Sequence, residues 1–179
     1  TPARAEPSAH PERRAFLLRC CETLIAAEAD LNALDAKSGD GDTGSTLAGA
    51  ARALSGAVDR LPLANAPELY RAIGIELAQT MGGSSGVLLA IFFAAAADGP
   101  EDDIAGALTL GLERIKQVGG ASEGDRTMID ALAPALVALP DGIVEAARAA
   151  RAGADATASI TKAKAGRAAY VPEVNLKGN

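Results

Sequence analysis

Apolar residues return every three or four positions along most of this chain, which is the spacing of one face of a helix. The pattern begins near Glu12 and predicts a first helix that runs directly into a cluster of aspartates. Its predicted buried stripe consists of Leu17, Cys20, Leu24, Ala27, Leu31 and Leu34. Strand-like alternation occurs at no convincing length, so the periodicity predicts a helical protein.

Proline and glycine divide the rest of the chain into seven further predicted helices. Four of them cover "STLAGAARALSGAVDRL", "PELYRAIGIELAQTM", "VLLAIFFAAAA" and "EDDIAGALTLGLERIKQV". The others run from Arg126 to just before Pro140, over 141–152 and over 154–165. "VLLAIFFAAAA" is apolar on every side, which predicts a central position. Eight helices with short connections predict an all-α fold, an antiparallel up-and-down eight-helix barrel or bundle.

Three non-helical stretches concentrate glycine, hydroxyl and acidic residues: 35–46, 82–86 and 119–127. They follow the first, third and fifth predicted helices. In an up-and-down arrangement, connections that follow alternate helices emerge at the same end of the bundle. The sequence therefore predicts that the functional site lies on this one rim.

Composition narrows the classes of function. The 179 residues are 49% hydrophobic with a net charge of −6 and no dense Lys/Arg run, which indicates a globular domain and argues against a nucleic-acid partner. The longest apolar run, 87–97, is shorter than the roughly 20 residues that span a bilayer, and no signal peptide opens the chain. The two cysteines are adjacent and do not suggest an oxidising compartment. We expect a cytoplasmic protein without a membrane partner.

Residues 1–12 contain three prolines and many small or charged residues, which predicts a linker from an upstream domain, with the functional domain over 13–179. The one histidine, His10, lies in this linker, where we expect a solvated side chain without a role. A Ser/His/Asp triad and a histidine-rich metal site are thereby excluded within this chain.

The stretch "LDAKSGDGDTGST" places Asp35, Asp40 and Asp42 within eight positions. Gly39 and Gly41 allow the backbone to turn sharply enough for the three carboxylates to converge. Oxygen-only ligands suit Mg²⁺ or Ca²⁺ rather than Zn²⁺. The alternative is a polar turn with helix-capping aspartates. An EF-hand loop starting at Asp40 is excluded, because its sixth and twelfth positions are Ser45 and Ala51.

Residues that suit phosphate follow the carboxylates. Thr43, Gly44, Ser45 and Thr46 begin a helix, where free N–H groups and the helix dipole attract anions. Carboxylates for a metal next to donors for phosphate indicate a nucleotide polyphosphate site. The chain has no GxxxxGK[ST] motif, so such a site would be of an uncommon kind.

The two later stretches each have a functional and a structural interpretation. The run "GGSSG", with Ser84 and Ser85, either approaches a ligand or caps and packs a helix. In "GDRTMID", the structural interpretation is that Asp125 caps the sixth helix, and the functional one is that Thr127 and Met128 contact a nucleotide base. Arg167 is either a phosphate clamp or a surface arginine.

Four motifs in order, "LNALDAKSGDGDTGST", "MGGSSGVLLAIFFAAA", "GDRTMIDAL" and "AKAGRAAYV", resemble the nucleotide-binding L domain of dihydroxyacetone kinases, the DAK2 domain. The resemblance covers residues 13–173 and implies an eight-helix barrel with ATP or ADP at one end. It implies two Mg²⁺ ions on Asp35, Asp40 and Asp42, and no catalytic residues in this chain beyond these metal ligands. It also implies nucleotide contacts at Thr43, Gly44, Ser45, Thr46, Ser84, Ser85, Gly119, Thr127, Met128 and Arg167.

The resemblance further implies an ATP-dependent kinase for a short ketose such as dihydroxyacetone, which a separate K domain holds covalently on a histidine. We expect this K domain upstream in the same polypeptide, and the full-length enzyme as a homodimer. Members of the family usually continue with an Asp-Pro-Gly segment, whereas this chain stops at "NLKGN", which suggests truncation. Two alternatives remain: a phosphotransferase-system L subunit with resident ADP, and a non-catalytic nucleotide-sensing module. The sequence does not distinguish dihydroxyacetone, glyceraldehyde and erythrulose as substrates, or exclude release of cyclic FMN from FAD.

Overall fold

The computed structural model describes residues 5–164 and 167–170, and within these residues the chain forms eight α-helices and no strand. The helices are α1 (Pro11–Ala26), α2 (Glu28–Asp35), α3 (Thr43–Ala57), α4 (Ala66–Thr80), α5 (Gly83–Ala96), α6 (Ile104–Gly119), α7 (Ile129–Ala138) and α8 (Ile143–Ala156). Short 3-10 turns lie at Val58–Arg60, Leu139–Asp141, Thr157–Ser159 and Arg167–Tyr170.

Helices that follow one another along the chain pack against one another. Both α1 and α2 pack on α3, and contacts continue from α3 to α4 and from there through α5, α6 and α7 to α8. Short connections between packed neighbours produce the antiparallel up-and-down arrangement. The prediction of an all-α helical bundle is thereby confirmed.

The predicted first helix is two helices, because the chain turns at Ala27. Its predicted buried stripe is wrong in part: Leu17 packs against the core, but Cys20 is exposed, and Leu24 and Leu34 are 37% and 56% exposed. The residue of α1 that is buried is Cys21, at 2% exposure.

The face of α1 that packs against the core differs from the face that the apolar periodicity predicted. Leu17, Cys21 and Ile25 share the first core cluster, at the i, i+4, i+8 spacing of one helix face. Phe16, Cys20 and Leu24 have the same spacing on a neighbouring face. Because both faces are apolar, periodicity alone could not select the one that contacts α3.

The predicted helices over 141–152 and 154–165 are wrong in number and in end point. A single helix, α8, runs from Ile143 to Ala156 and covers only the beginning of the second predicted range, and a 3-10 turn at Thr157–Ser159 follows it. Gly153 lies inside α8, and a Cβ at that position would meet the carbonyl oxygen of Asp130 in α7. This glycine allows close packing of two helices and does not mark a break.

The hydrophobic core consists of two clusters that meet at α5. The first includes Cys21, Leu54, Ile73 and Leu77, and the second includes Ile115. Phe92 belongs to the second cluster and Phe93 packs against both, and their rings touch edge to face with centroids 5.2 Å apart. The predicted central position of α5 is confirmed in the sense that it packs between α4 and α6, although Val87 at its start is 58% exposed.

Part of the predicted linker contacts the helical domain. Ser8 pairs with the connection before α4, where its N–H donates to Leu61 O (3.2 Å) and its carbonyl accepts from Leu63 N–H (3.1 Å). His10 does not lack a role, because its Nδ1 accepts from the Arg13 N–H (3.2 Å) and caps α1. The boundary between linker and domain stays a prediction. In the part of the chain that the structure describes, no helix combines the length and the apolar character needed to cross a membrane.

Candidate functional site

The three aspartates of the first predicted loop converge in space. Asp35, Asp40 and Asp42 each place one carboxylate oxygen within 4.8 Å of the oxygens from the other two. Asp35 is half-buried and the other two are exposed, so the oxygens face a region open to solvent. A cluster of carboxylate oxygens this close is the donor set that a hard divalent cation prefers. The chemistry of the site therefore fits Mg²⁺ and leaves room for water and phosphate oxygens.

Asp35 also holds the loop between α2 and α3 in shape. Its Oδ2 accepts from the N–H groups of Gly41 (2.9 Å), Asp42 (3.1 Å) and Thr43 (3.3 Å). One carboxylate oxygen thus fixes the backbone on both sides of Asp42. The loop from Asp40 to Thr43 curves around this side chain.

Gly39 and Gly41 are needed in this loop for two different structural reasons. Gly41 has φ +78°, a left-handed conformation that costs an L-residue free energy. Gly39 has no such φ, but a Cβ there would meet the Asp35 carboxylate itself. The prediction that Gly39 and Gly41 permit convergence of the carboxylates is confirmed.

The first amides of α3 differ from the expectation of free N–H groups. Thr43 N–H is directed to Asp35, and Ser45 N–H donates to Asn32 Oδ1 (3.0 Å). Thr46 N–H already makes the first helical bond, to Asp42 O (2.9 Å). A phosphate at this helix start would therefore depend on side-chain hydroxyls and the helix dipole more than on these three amides.

The helices that carry the aspartates approach each other very closely. A Cβ on the buried Gly44 would meet the carbonyl oxygen of Glu28 on α2. The Glu28 carboxylate bonds to Arg52 of α3 (2.6 Å), and hydrogen bonds from Arg52 and then Ser45 lower the pKa of Glu28. The Glu28 contacts join the first residue of α2 to α3, about two helical turns from Asp35.

The second predicted stretch contains the start of α5. Gly82 caps the helix and Gly83 has φ +72°, while Ser84 is exposed and Ser85 is half-buried. The buried Gly86 has a packing role, because its Cβ would lie 2.6 Å from Met81 O. Met81 belongs to the first core cluster, against which Leu47 near the start of α3 also packs. Because α3 and α4 are packed consecutive helices of an up-and-down bundle, the start of α5 falls at the same end as the start of α3.

The third stretch is the connection from α6 to α7. Gly119 ends α6, and Gly120 follows in the left-handed conformation (φ +68°), as predicted for the end of this helix. Among the residues that the structure describes, a Cβ on Gly119 would approach only the methyl groups of Leu88 in α5, the nearest at 3.6 Å. Packing does not demand a glycine at 119, and the neighbouring Leu88 places the second and third stretches side by side.

Asp130 organises the loop that carries Thr127 and Met128. Its carboxylate accepts from Gly124 N–H (2.5 Å) and from Thr127 N–H (2.7 Å). Thr127 Oγ1 accepts from Ile129 N–H (3.2 Å), and Met128 packs on the second core cluster. Asp130 is not among the predicted site residues, although the spacing of Thr127 and Asp130 matches the Ser/Thr-x-x-Asp/Glu capping signature.

Asp125 does not cap α7 and instead joins two segments. It is buried at 7% exposure, accepts from Ser122 N–H (2.9 Å) and pairs with Lys164 Nζ (3.0 Å) beyond α8. The bond from Ser122 and the ion pair with Lys164 lower the pKa of Asp125. The next residue, Arg126, has φ +60° and donates to Ile160 O (2.6 Å). The predicted contact at Arg167 lies outside the residues whose side chains are described.

The fold and the carboxylate cluster define a helical domain with a candidate site for a hard divalent cation. Residues 37–178 match the family model of the DAK2 domain. The chain therefore belongs to the DAK2 domain family.

Three relatives illustrate the similarity. The dihydroxyacetone kinase of Citrobacter freundii is 49% identical over 97% of this chain and 33% of its own length. The triokinase/FMN cyclase of Mus musculus is 38% identical over 88% of this chain and 30% of its own length. The L-erythrulose 1-kinase of Mycolicibacterium smegmatis is 39% identical over 83% of this chain and 29% of its own length. The chain thus spans about a third of the length of these relatives.

Among solved structures, the chain resembles the dihydroxyacetone kinase of C. freundii in complex with AMP-PNP and Mg²⁺. The TM-score is 0.85 at 42% identity, and the match covers 98% of this chain and 34% of that one. The native form of the same kinase gives the same TM-score at 41% identity and covers 35% of that chain.

Proposed function

We propose that this chain is the nucleotide-binding domain of an ATP-dependent kinase for a short ketose. The observation that carries the proposal is the convergence of Asp35, Asp40 and Asp42 within 4.8 Å, in a member of the DAK2 family. The similar C. freundii kinase, solved with AMP-PNP and Mg²⁺, supports ATP or ADP and magnesium as the ligands of this site. Two Mg²⁺ ions, held by the three aspartates, are part of the proposal.

The nucleotide would lie across the rim formed by the three stretches. We propose contacts at Thr43, Gly44, Ser45, Thr46, Ser84, Ser85, Gly119, Thr127, Met128 and Arg167. The exposed hydroxyls at the helix starts suit phosphate oxygens, and the space beside Gly119 suits a closely approaching ligand. Met128, which is half-buried, offers an apolar surface for a base.

Phosphoryl transfer depends mainly on positioning and on charge neutralisation. Bound Mg²⁺ would supply the neutralisation by drawing charge from the phosphate oxygens. This chain would contribute the three carboxylates, in a loop whose shape is fixed by the hydrogen bonds that the Gly41 and Asp42 amides donate to Asp35. It would also contribute the neighbouring helix starts, which orient an anion. No side chain of this domain is assigned as a general base.

The acceptor substrate would come from another part of the enzyme. Because the chain spans about a third of its relatives, we propose a separate K domain in the same polypeptide that binds the ketose. Relatives named for dihydroxyacetone and L-erythrulose support a short ketose as the substrate class. A cytoplasmic location and a homodimer of the full-length enzyme also belong to the proposal.

The metal site can be tested by calorimetric titration of the 179-residue chain with AMP-PNP, with and without MgCl₂. We expect Asp42→Asn to weaken the magnesium-dependent part of binding by at least the ~10–100-fold that loss of a partner to a metal ligand costs. Asp141→Asn is the matched control, because Asp141 lies in the connection from α7 to α8. The proposed site would be refuted if the wild-type chain bound AMP-PNP with the same affinity in the presence and absence of magnesium.

The kinase activity requires a second measurement. Addition of a separately produced K domain, ATP and dihydroxyacetone should yield dihydroxyacetone phosphate, and bound ADP should exchange with free ATP. A phosphotransferase-system L subunit would instead retain ADP and need a phosphoryl donor protein. A nucleotide sensor would exchange ADP for ATP without product.

A further inference from the structure

Asn32 and Ser45 form a reciprocal pair of hydrogen bonds between α2 and α3. The Asn32 Nδ2 donates to Ser45 Oγ (2.9 Å), and the Asn32 Oδ1 accepts from Ser45 N–H (3.0 Å). One side-chain amide therefore uses its donor and its acceptor on the same residue. Such a two-point contact fixes the orientation of two helices better than a single bond does.

The position of this pair relative to the metal ligands is symmetrical. Asn32 lies three residues before Asp35 on α2, and Ser45 lies three residues after Asp42 on α3. Residues three apart in a helix lie on the same side, one turn apart. The pair therefore lies one turn from the metal ligands on both helices, at the point where their backbones meet.

Hydrophobic packing cannot supply the same restraint, because α2 contains no buried residue. Besides the Asn32 pair, Asp35 at the end of α2 accepts from the N–H of Thr43 at the start of α3 (3.3 Å). The other contacts between these helices are the close approach at Gly44 and the exposed ion pair between Glu28 and Arg52. Exposed ion pairs of this kind contribute little. Apart from the bonds that Asp35 itself accepts, the amide pair is the directional contact between the two helices that lies nearest along the chain to Asp35 and Asp42.

We propose that Asn32 is a positioning residue of the magnesium site: its contact with Ser45 holds the ends of α2 and α3 so that the three carboxylates converge. This inference rests on the proposed function, since it assigns a role toward the proposed Mg²⁺. Asn32 acts through Ser45 and the two helix ends, and it does not ligate the metal itself.

The test is calorimetric titration of AMP-PNP into the 179-residue chain at graded MgCl₂ concentrations and in EDTA. For Asn32→Ala, we expect the magnesium concentration at half-maximal enhancement to rise about 10–100-fold, as for other partners of metal ligands. Affinity in EDTA should stay within about twofold of the wild type. Asn32→Asp keeps the oxygen that accepts from Ser45 N–H, and we expect it to recover part of the loss.

Asn65→Ala is the matched control. Asn65 Oδ1 also accepts from one backbone amide, that of Glu68 (2.8 Å), but this bond caps α4 and, within the described residues, does not involve the aspartate loop. Its removal should lower the melting temperature and leave the magnesium dependence unchanged. This control separates a general loss of stability from a displaced metal ligand.

Three outcomes would overturn the inference. In the first, Asn32→Ala shows a magnesium dependence within about twofold of the wild type or equal to that of Asn65→Ala. In the second, Asn32→Ala weakens binding equally with and without magnesium, which would mean that it acts on the nucleotide. The third outcome applies if Asn32→Ala does not fold: the inference is then overturned when both Asn32→Asp and Asn32→Gln show the magnesium dependence of the wild type. Failure of the proposed function has a different signature, namely a wild-type chain without any magnesium-dependent binding.

Discussion

Lys164 pairs with the buried carboxylate of Asp125 across 3.0 Å and thereby ties the segment after α8 to the connection between α6 and α7. The Lys164 N–H also donates to Asp125 O (3.4 Å), and Arg126 donates to Ile160 O (2.6 Å). These contacts lie directly before Thr127 and Met128, which we propose as nucleotide contacts. The segment after α8 therefore restrains one wall of the candidate site.

The first prediction concerns this ion pair. Asp125→Asn should lower the melting temperature more than Asp155→Asn does, because Asp155 pairs with Arg151 at 3.9 Å and both of those side chains are exposed. Asp125, in contrast, is nearly buried and also accepts from Ser122. Thermal unfolding followed by circular dichroism measures both variants. Equal shifts for the two would show that the Asp125 pair contributes no more than a surface pair.

The second prediction is the pH dependence of the same contact. Because the pKa of Asp125 is lowered in the folded state, its carboxylate stabilises the fold at pH values above the ordinary aspartate pKa of about 3.9. As the pH falls below that value, and then through the folded-state pKa, this contribution disappears. The difference in unfolding free energy between wild type and Asp125→Asn should thus be present at pH 7 and shrink below about pH 4. Urea unfolding at several pH values measures it, and a difference that grows on acidification would contradict the assignment.

The third prediction concerns the glycines of α3 and of the loop before it. Gly41→Ala should cost about 1–2 kcal/mol, because φ is +78° there, and should weaken magnesium-dependent nucleotide binding. Gly49→Ala is the control, since a Cβ at that exposed position inside α3 meets nothing within 4 Å. That substitution should stabilise the chain by about 0.5–1 kcal/mol. Urea unfolding and AMP-PNP titration of both variants provide the measurements.

The fourth prediction distinguishes the two adjacent cysteines. Desolvation raises the pKa of both thiols, but Cys20 is exposed and Cys21 is buried in the first core cluster. In the single variants Cys20→Ala and Cys21→Ala, the remaining Cys20 should react with a disulfide reagent much faster than the remaining Cys21. Cys21→Ala should also cost about 1 kcal/mol, whereas Cys20→Ala should lie within about 0.5 kcal/mol of the wild type. Faster labelling of Cys21 would instead support the face predicted from periodicity, in which Cys20 is the buried cysteine.

Some features could be predicted from the sequence because they depend only on residues that are close together in the chain. Asp35, Asp40 and Asp42 lie within eight positions, so the glycines between them can bring the carboxylates together without help from distant residues. The end of α6 at Gly119 and Gly120 was predictable for the same reason, because a left-handed cap is a property of the residue that occupies it. The roles of the nucleotide-contact residues remain predictions.

Other features arose only when distant segments met. Asn32 and Ser45 are 13 positions apart, and Asp125 and Lys164 are 39 apart, so neither pair leaves a local pattern. The face of α1 that is buried was decided by α3, because two neighbouring faces of α1 are equally apolar. Gly153 was mistaken for a helix end because only its contact with α7 reveals its packing role.

The sequence by itself determined the all-α class and the clustering of the three acids, since helical periodicity and sharp turns follow from neighbouring residues. Tertiary structure decided which face of each helix is buried and which side chains brace the loops of the candidate site. The physical reason is that burial and long-range hydrogen bonds depend on the surface that a segment meets, which lies elsewhere in the chain.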